Sequence, residues 1–111
     1  MSRVRLPNRR PSINLDFTFR GGIPVQATVG LYPDGRVGEL FLRSGLVGTD
    51  LSIAMTEVAI AVSMALQHGC SLETLRAAMP RTSRGEPEGA IGTLLDLLVK
   101  PELTMKNDGG T

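Results

Sequence analysis

From Ile13 to Arg20 apolar and polar residues alternate without a break: Ile13, Leu15, Phe17 and Phe19 against Asn14, Asp16, Thr18 and Arg20. A period of two is the pattern of a strand with one buried face, and Gly21-Gly22 turns the chain after it. The alternation resumes with Val25, Ala27, Val29 and Leu31 inward, and Gln26, Thr28 and Tyr32 outward. Pro33-Asp34-Gly35 predicts a tight turn, because proline presets the first turn angle and glycine accepts a positive φ. A third strand spans Arg36 to Arg43. Its phase is set by Glu39, whose burial would require a partner, so Gly38, Leu40 and Leu42 are placed inward, with Val37, Glu39 and Phe41 outward.

The period then lengthens. Thr49 or Asp50 caps a helix running to about His68, with Gly69 as its terminator. Leu51, Met55, Val58, Val62 and Leu66 mark one side of it, and Ile53, Ile60 and Met64 another. A helix apolar nearly all round is expected to be sandwiched. Ser52, Thr56, Ala59 and Ser63 form a stripe of small residues that lets another backbone approach closely. Ser71 caps a short helix with Leu72, Leu75 and Met79 on one face, ended by Pro80. A charged, glycine-containing loop follows from Pro80 to Gly89. The last helix, near Glu88 to Lys100, places Ile91, Leu94, Leu95 and Leu98 at i, i+3, i+4 and i+7, and Pro101 stops it. Strands first and helices afterwards predict an α+β fold: a three-stranded antiparallel meander followed by three helices packed on one face.

Composition sets bounds on this picture. The chain has 111 residues, 41% hydrophobic and 21% charged, which suits one domain with one core. The domain is expected over 12–100, with a basic, flexible arm at 1–11 and a flexible tail at 101–111. The net charge is +1, yet Arg3, Arg5, Arg9 and Arg10 all fall in the arm, with no acid among them. Cys70 is the single cysteine and His68 the single histidine, so neither an intramolecular disulfide nor a structural zinc site is expected. A cytoplasmic protein is the natural reading. The basic N-terminus does not read as a signal peptide. The apolar stretch from Leu51 to Leu66 holds Glu57 and several hydroxyls, and reads as a core helix in place of a membrane span.

Candidate chemistry is sparse. His68-Gly69-Cys70 brings a base and a thiol together in sequence, but the two straddle a helix terminus, where a Cys–His nucleophile lacks its geometry. The carboxylates are scattered. Gly45-Leu46-Val47-Gly48 lacks the lysine and spacing of a phosphate loop, although Gly48-Thr49-Asp50 opens a helix. No catalytic residue, metal site or cofactor is assigned. The candidates for ligand or partner binding are Arg36, Glu39, Arg81 and Arg84, the last two in a loop that mixes arginine with hydroxyls. Arg3, Arg5, Arg9 and Arg10 are the candidates for nucleic-acid binding.

Three segments, in order, resemble a known family. Residues 27–42 contain a strand followed by Asp34-Gly35-Arg36, Gly38-Glu39 and a second strand. Residues 59–73 form an apolar helix and the turn after it. Arg84, Glu86, Pro87 and Gly89 make an R-x-E-P-x-G segment. This succession is similar to the TSCPD-type C-terminal accessory domain of vitamin B12-dependent ribonucleotide reductases, and the similarity covers about residues 25–89. The Thr-Ser-Cys-Pro-Asp motif that names the domain is absent, as are the cysteine pairs of the reductase C-terminus. The resemblance implies a fold and an association with nucleotide metabolism, and transfers no activity.

The expected function is therefore a small, non-catalytic interaction or regulatory module, with a nucleotide-metabolism enzyme as partner. The alternatives are a nucleic-acid-associated protein using the arginine arm, and a small enzyme with an unfamiliar site around Arg36, Glu39, Arg81 and Arg84. A homodimer is also expected, because a three-stranded meander leaves two edges and the long helix has apolar residues to spare. No membrane association is expected.

Overall fold

A computed structural model describes residues 2–19, 22–44 and 49–99. The expected turn residues Arg20 and Gly21, the glycine loop at 45–48, Lys100 and the tail at 101–111 lie outside the described residues. Strand β1 (Ser12–Phe19) pairs antiparallel with β2 (Ile23–Leu31), which pairs antiparallel with β3 (Val37–Ser44), so the sheet order is β1-β2-β3. Helices α1 (Asp50–Gln67), α2 (Leu72–Ala78) and α3 (Ala90–Val99) follow. The fold is α+β, a meander followed by three helices.

Local chemistry explains the boundaries. Thr49 caps α1 by accepting from Ser52 N–H at 3.2 Å. Its C-terminus closes with Gly69 at φ 100°, where Gly69 N–H reaches Leu66 O and Cys70 N–H reaches Ala65 O. These two bonds satisfy carbonyls that a helix end otherwise leaves open. Ser71 caps α2 by accepting from Thr74 N–H, and the turn between β2 and β3 has Gly35 at φ 91°.

The core lies between one face of the sheet and the helices. Val25, Ala27, Val29, Leu40 and Leu42 meet Met55, Ala59, Val62 and Leu66 of α1 and Ile91, Leu94 and Leu95 of α3. Helix α1 packs against β3, and α3 bridges α2, α1 and β1. Of the stripe of small residues, Ala59 is buried in this core and Ser63 reaches β3, while Thr56 is exposed. Ser63 Oγ donates to Leu40 O at 3.2 Å and accepts from Leu40 N–H at 2.8 Å. Gln67, 5% exposed, donates from Nε2 to Gly38 O at 3.0 Å. Two polar side chains thereby occupy the free edge of β3, which would otherwise be a template for another strand.

The structure departs from expectation in four places. Among the described residues helix α1 is not sandwiched: Ile53, Val58, Ile60 and Met64 are 37–58% exposed, because β3 and α3 cover only part of it. By length and composition α1 would also suffice to cross a membrane, yet here its Ser63 and Gln67 hydrogen-bond the sheet. Tyr32 is buried, not outward: after a register shift at Gly30/Leu31 its ring packs beside Gly38 and Leu6, and its hydroxyl donates to Val4 O. Glu39 takes the predicted strand phase but is nonetheless buried, at 9% exposed, because Arg10 supplies a partner. The basic arm, expected to lie loosely, is tied to the domain at several points. Val4 N–H donates to Gln67 O at 2.8 Å and Leu31 N–H to Pro11 O at 2.9 Å, while Arg3 Nε donates to Gln67 Oε1 at 2.6 Å.

Candidate functional site

The charged residues singled out by sequence fall into separate structural clusters. In the first, Asp34 accepts from both the backbone N–H and the Nε of Arg36, at 3.0 and 2.7 Å. These bonds, the backbone one foremost, hold the Asp34 carboxyl below its usual pKa. The Arg36 guanidinium also lies 4.7 Å from the centroid of the Tyr32 ring, a cation–π contact. The Asp-Gly-Arg signature is thus a clasp on the β2–β3 turn.

Glu39 belongs to a second cluster. Its carboxylate folds over Gly30, its cross-strand neighbour, and takes hydrogen bonds from Arg10 Nε and, at 3.2 Å, Nη2. A β-carbon at Gly30 would collide with the Glu39 side chain, so only glycine leaves room for this pair. Gly38 plays the matching part on the other face, where a β-carbon would collide with Tyr32 and Leu6. The Gly-Glu signature is therefore packing chemistry too.

The third cluster joins the α2–α3 connection to α3. Arg81 donates from Nη1 and Nη2 to the two oxygens of Asp96 at 3.1 and 2.6 Å, and Arg76 Nε adds a bond at 2.8 Å. Arg81, with Arg76 assisting, outweighs the effect of burial and holds the Asp96 carboxyl below its usual pKa. The same carboxylate holds Arg81 above its own ordinary value. The loop closes as a tight hairpin: Arg81 and Pro87 bridge, Thr82 N–H donates to Glu86 O, and Gly85 takes φ 84°. Arg84 is exposed at its tip.

No two of Arg36, Glu39, Arg81 and Arg84 hydrogen-bond each other; three of them are held by structural partners. Of the arm arginines, Arg3 and Arg10 are anchored as described, and Arg5 and Arg9 are exposed. His68 and Cys70 bond away from one another, His68 Nδ1 to Met64 O at 2.8 Å and Cys70 Sγ to Ser71 O at 3.9 Å. Among the described residues no cluster of three His, Cys, Asp or Glu side chains could hold a metal ion.

Two further surfaces stand out. One is the outer side of α1, with Ile53, Ile60 and Met64. The other is the sheet face opposite the helices, where Asn14, Asp16, Gln26, Thr28, Phe41 and Arg43 line a concavity of about 570 Å3. Strand alternation placed five of these, all but Arg43, on one side; their adjacency waited on register.

The fold and these clusters describe a compact module whose signature residues serve its architecture. Its relatives are parts of much larger enzymes. The chain is 41% identical over 87 residues to a vitamin B12-dependent ribonucleotide reductase of Streptantibioticus cattleyicolor, covering 78% of this chain and 14% of that protein. It is 41% identical over 87 residues to the enzyme of the same name from Streptomyces clavuligerus, covering 9% of it, and 38% identical over 87 residues to that of Rhodopirellula baltica, covering 8%. The chain thus spans only about a tenth of the length of the curated relatives it matches, and the relationship is that of a domain to part of those reductases. No protein-family model and no solved structure matches the chain.

Proposed function

We propose that this chain is a TSCPD-type accessory module that works by docking onto a ribonucleotide reductase or another enzyme of nucleotide metabolism, without performing chemistry of its own. The observation that carries this reading is the homology of 87 residues to a domain-sized fraction of each reductase. The clusters around Asp34, Glu39 and Asp96 support it, since each ties its charged groups to one another across elements of the fold. The outer face of α1 supports it as well: the exposed side chains of Ile53, Ile60 and Met64 suit an interaction surface.

The test is direct. The purified chain is titrated into a vitamin B12-dependent reductase, with binding followed by calorimetry and reduction assayed in parallel. Saturable binding that Ile60→Asp weakens at least tenfold is the expected result. No binding, or ribonucleotide reduction by the isolated chain, would overturn the reading. Spectral titration with adenosylcobalamin is expected to show no saturable binding.

A cytoplasmic homodimer belongs to the same proposal. Since Ser63 and Gln67 occupy the β3 edge, the surface left for a second copy is the outer side of α1 or the edge of β1. Light scattering at micromolar concentration decides: a mass that stays at 11.9 kDa on concentration would rule the dimer out.

A further inference from the structure

The two edges of the sheet are finished differently. Along an antiparallel strand the backbone groups of successive residues point to alternate sides. Leu40 uses both of its groups on Ser63, so in β3 it points away from β2, and its partner Val29 points towards β1. Leu31, two residues on, agrees: its N–H reaches Pro11 O. Carried across the register to β1, the alternation assigns Ile13, Leu15 and Phe17 to the ladder with β2. It turns the backbone groups of Asn14, Asp16 and Thr18 outward. Among the described residues no hydrogen bond is made to those groups. The β3 edge is closed by α1, and the β1 edge stands open.

Nothing in β1 blocks that edge. Ser12–Phe19 holds no proline, lysine or arginine, the residues that commonly protect an exposed strand, and its pairing with β2 runs without a bulge. The arm leaves it clear as well, since the arm is anchored on Leu31, Glu39 and Gln67. On the helix side, cover fades along the strand: Phe19 is 7% exposed, Phe17 and Leu15 are half-buried, and Ile13 is 42% exposed. A row of apolar side chains thus runs out into solvent beside unpaired backbone groups. The outer face of α1 is apolar too, but its backbone bonds are made within the helix. At β1 the open backbone groups call for another extended strand.

We propose that two copies of the chain meet here, β1 against β1 across a two-fold axis, so that their sheets join into one. This rests on the homodimer proposed above and names its surface. Only residues whose backbone groups point outward can form the hydrogen-bonded pairs, so the symmetric registers are few. Centred on Asp16, the register sets two carboxylates directly opposite each other, which is unfavourable. Centred on Asn14, it leaves Phe17 and Thr18 beyond the start of the facing strand. Centred on Leu15, it gives every residue from Ser12 to Thr18 a counterpart. Leu15 then faces Leu15 of the second copy, Ile13 faces Phe17, and Asn14 faces Asp16. Thr28 Oγ1 donates to Asn14 Oδ1 at 2.9 Å, which turns the amide so that its nitrogen is left to donate to the facing carboxylate. The single acid of the strand therefore meets a donor, twice by symmetry. In that register β1 is complementary to itself.

The experiment follows the mass of the full chain by sedimentation over a dilution series, with circular dichroism to confirm that each variant is folded. Asp16→Pro removes an outward N–H and leaves the ladder to β2 intact; it should weaken dimerisation on the order of tenfold. Asn14→Asp sets acid against acid and should weaken it severalfold, and adding Asp16→Asn, which exchanges the two partners, should restore it. Facing residues of a pair without hydrogen bonds stand about 4.5 Å apart at Cα, within disulfide reach. In a Cys70→Ser background, Leu15→Cys should therefore cross-link to a covalent dimer on mild oxidation, whereas Ile13→Cys should cross-link only when mixed with Phe17→Cys. Ile60→Asp should leave the dimer unchanged while weakening docking to a reductase. A mass of 11.9 kDa at every concentration overturns the edge and the homodimer together. A dimer that withstands both Asp16→Pro and Asn14→Asp, that fails to cross-link through Leu15→Cys, or that Ile60→Asp dissolves overturns the edge alone.

Discussion

The two faces of the sheet are built from the same three strands by the same alternation, yet they have opposite chemistry. On the helix side, buried polar groups have partners: Ser63 takes both backbone groups of Leu40, Gln67 takes Gly38 O, and no buried side-chain nitrogen or oxygen among the described residues lacks a hydrogen bond. On the open side, Asp16, Gln26 and Arg43 stand without one beside an exposed phenylalanine. Burial makes an unpaired polar group costly, so it is found paired; water removes that pressure, and groups there can stand free. Side chains on the helix side, and the buried Glu39–Arg10 pair on the open side, should therefore matter for stability, and the exposed ones on the open side far less.

The strongest way to break this contrast is Leu95→Ala. Leu95 of α3 is fully buried in the core, and its truncation should cost about 2–5 kcal/mol in urea unfolding; a loss no larger than that of a surface substitution would mean the core is not packed as described. Deleting residues 1–10 comes next. It removes Arg10 from the buried Glu39 and uncovers Tyr32 and Gly38, and should cost about 1–3 kcal/mol. An unchanged melting temperature would show that the arm does not hold these contacts in solution.

Asp96 sharpens the contrast through pH. Its folded pKa lies below the ordinary 3.8, so its contribution is complete above that value and is lost as pH falls through the folded pKa. Asp96→Asn should be less stable at neutral pH and should lose less on acidification below about pH 4. An acid-unfolding curve parallel to that of the parent would remove Asp96 from this role. The smallest effect is expected from Phe41→Ala, within about 0.5 kcal/mol of the parent. A large destabilisation there would make Phe41 part of the packing that holds the fold.

Much of this was legible along the chain, and for identifiable reasons. Alternation from Ile13 to Phe19 and from Val25 to Leu31, the Pro33-Asp34-Gly35 turn, and the Thr49, Gly69 and Ser71 signals are all local, so each element could be read from its own residues. The strand phase was right at Leu40 and Leu42. What could not be read were pairings between distant positions. Glu39 points outward as expected, yet it is buried, because its partner, Arg10, lies in an arm that showed no pattern of its own. Tyr32 was placed outward because the register shift at Gly30/Leu31 is invisible to alternation. Arg36 and Arg81 were noticed as charges, but Asp34 and Asp96, which occupy them, were not matched to them.

By itself, then, the sequence determined the order of elements, the α+β class and the resemblance that the reductase relatives extend to 87 residues. These follow from periodicity and capping, which act over a few residues. Only the tertiary structure decided which polar residues are consumed by the fold and which remain free. Arg10 reaches Glu39 across 29 positions and Arg3 reaches Gln67 across 64, while Asn14, Thr28 and Phe41 become neighbours only once β1, β2 and β3 are in register. A side chain's availability depends on what stands next to it, and that is a property of the packed chain.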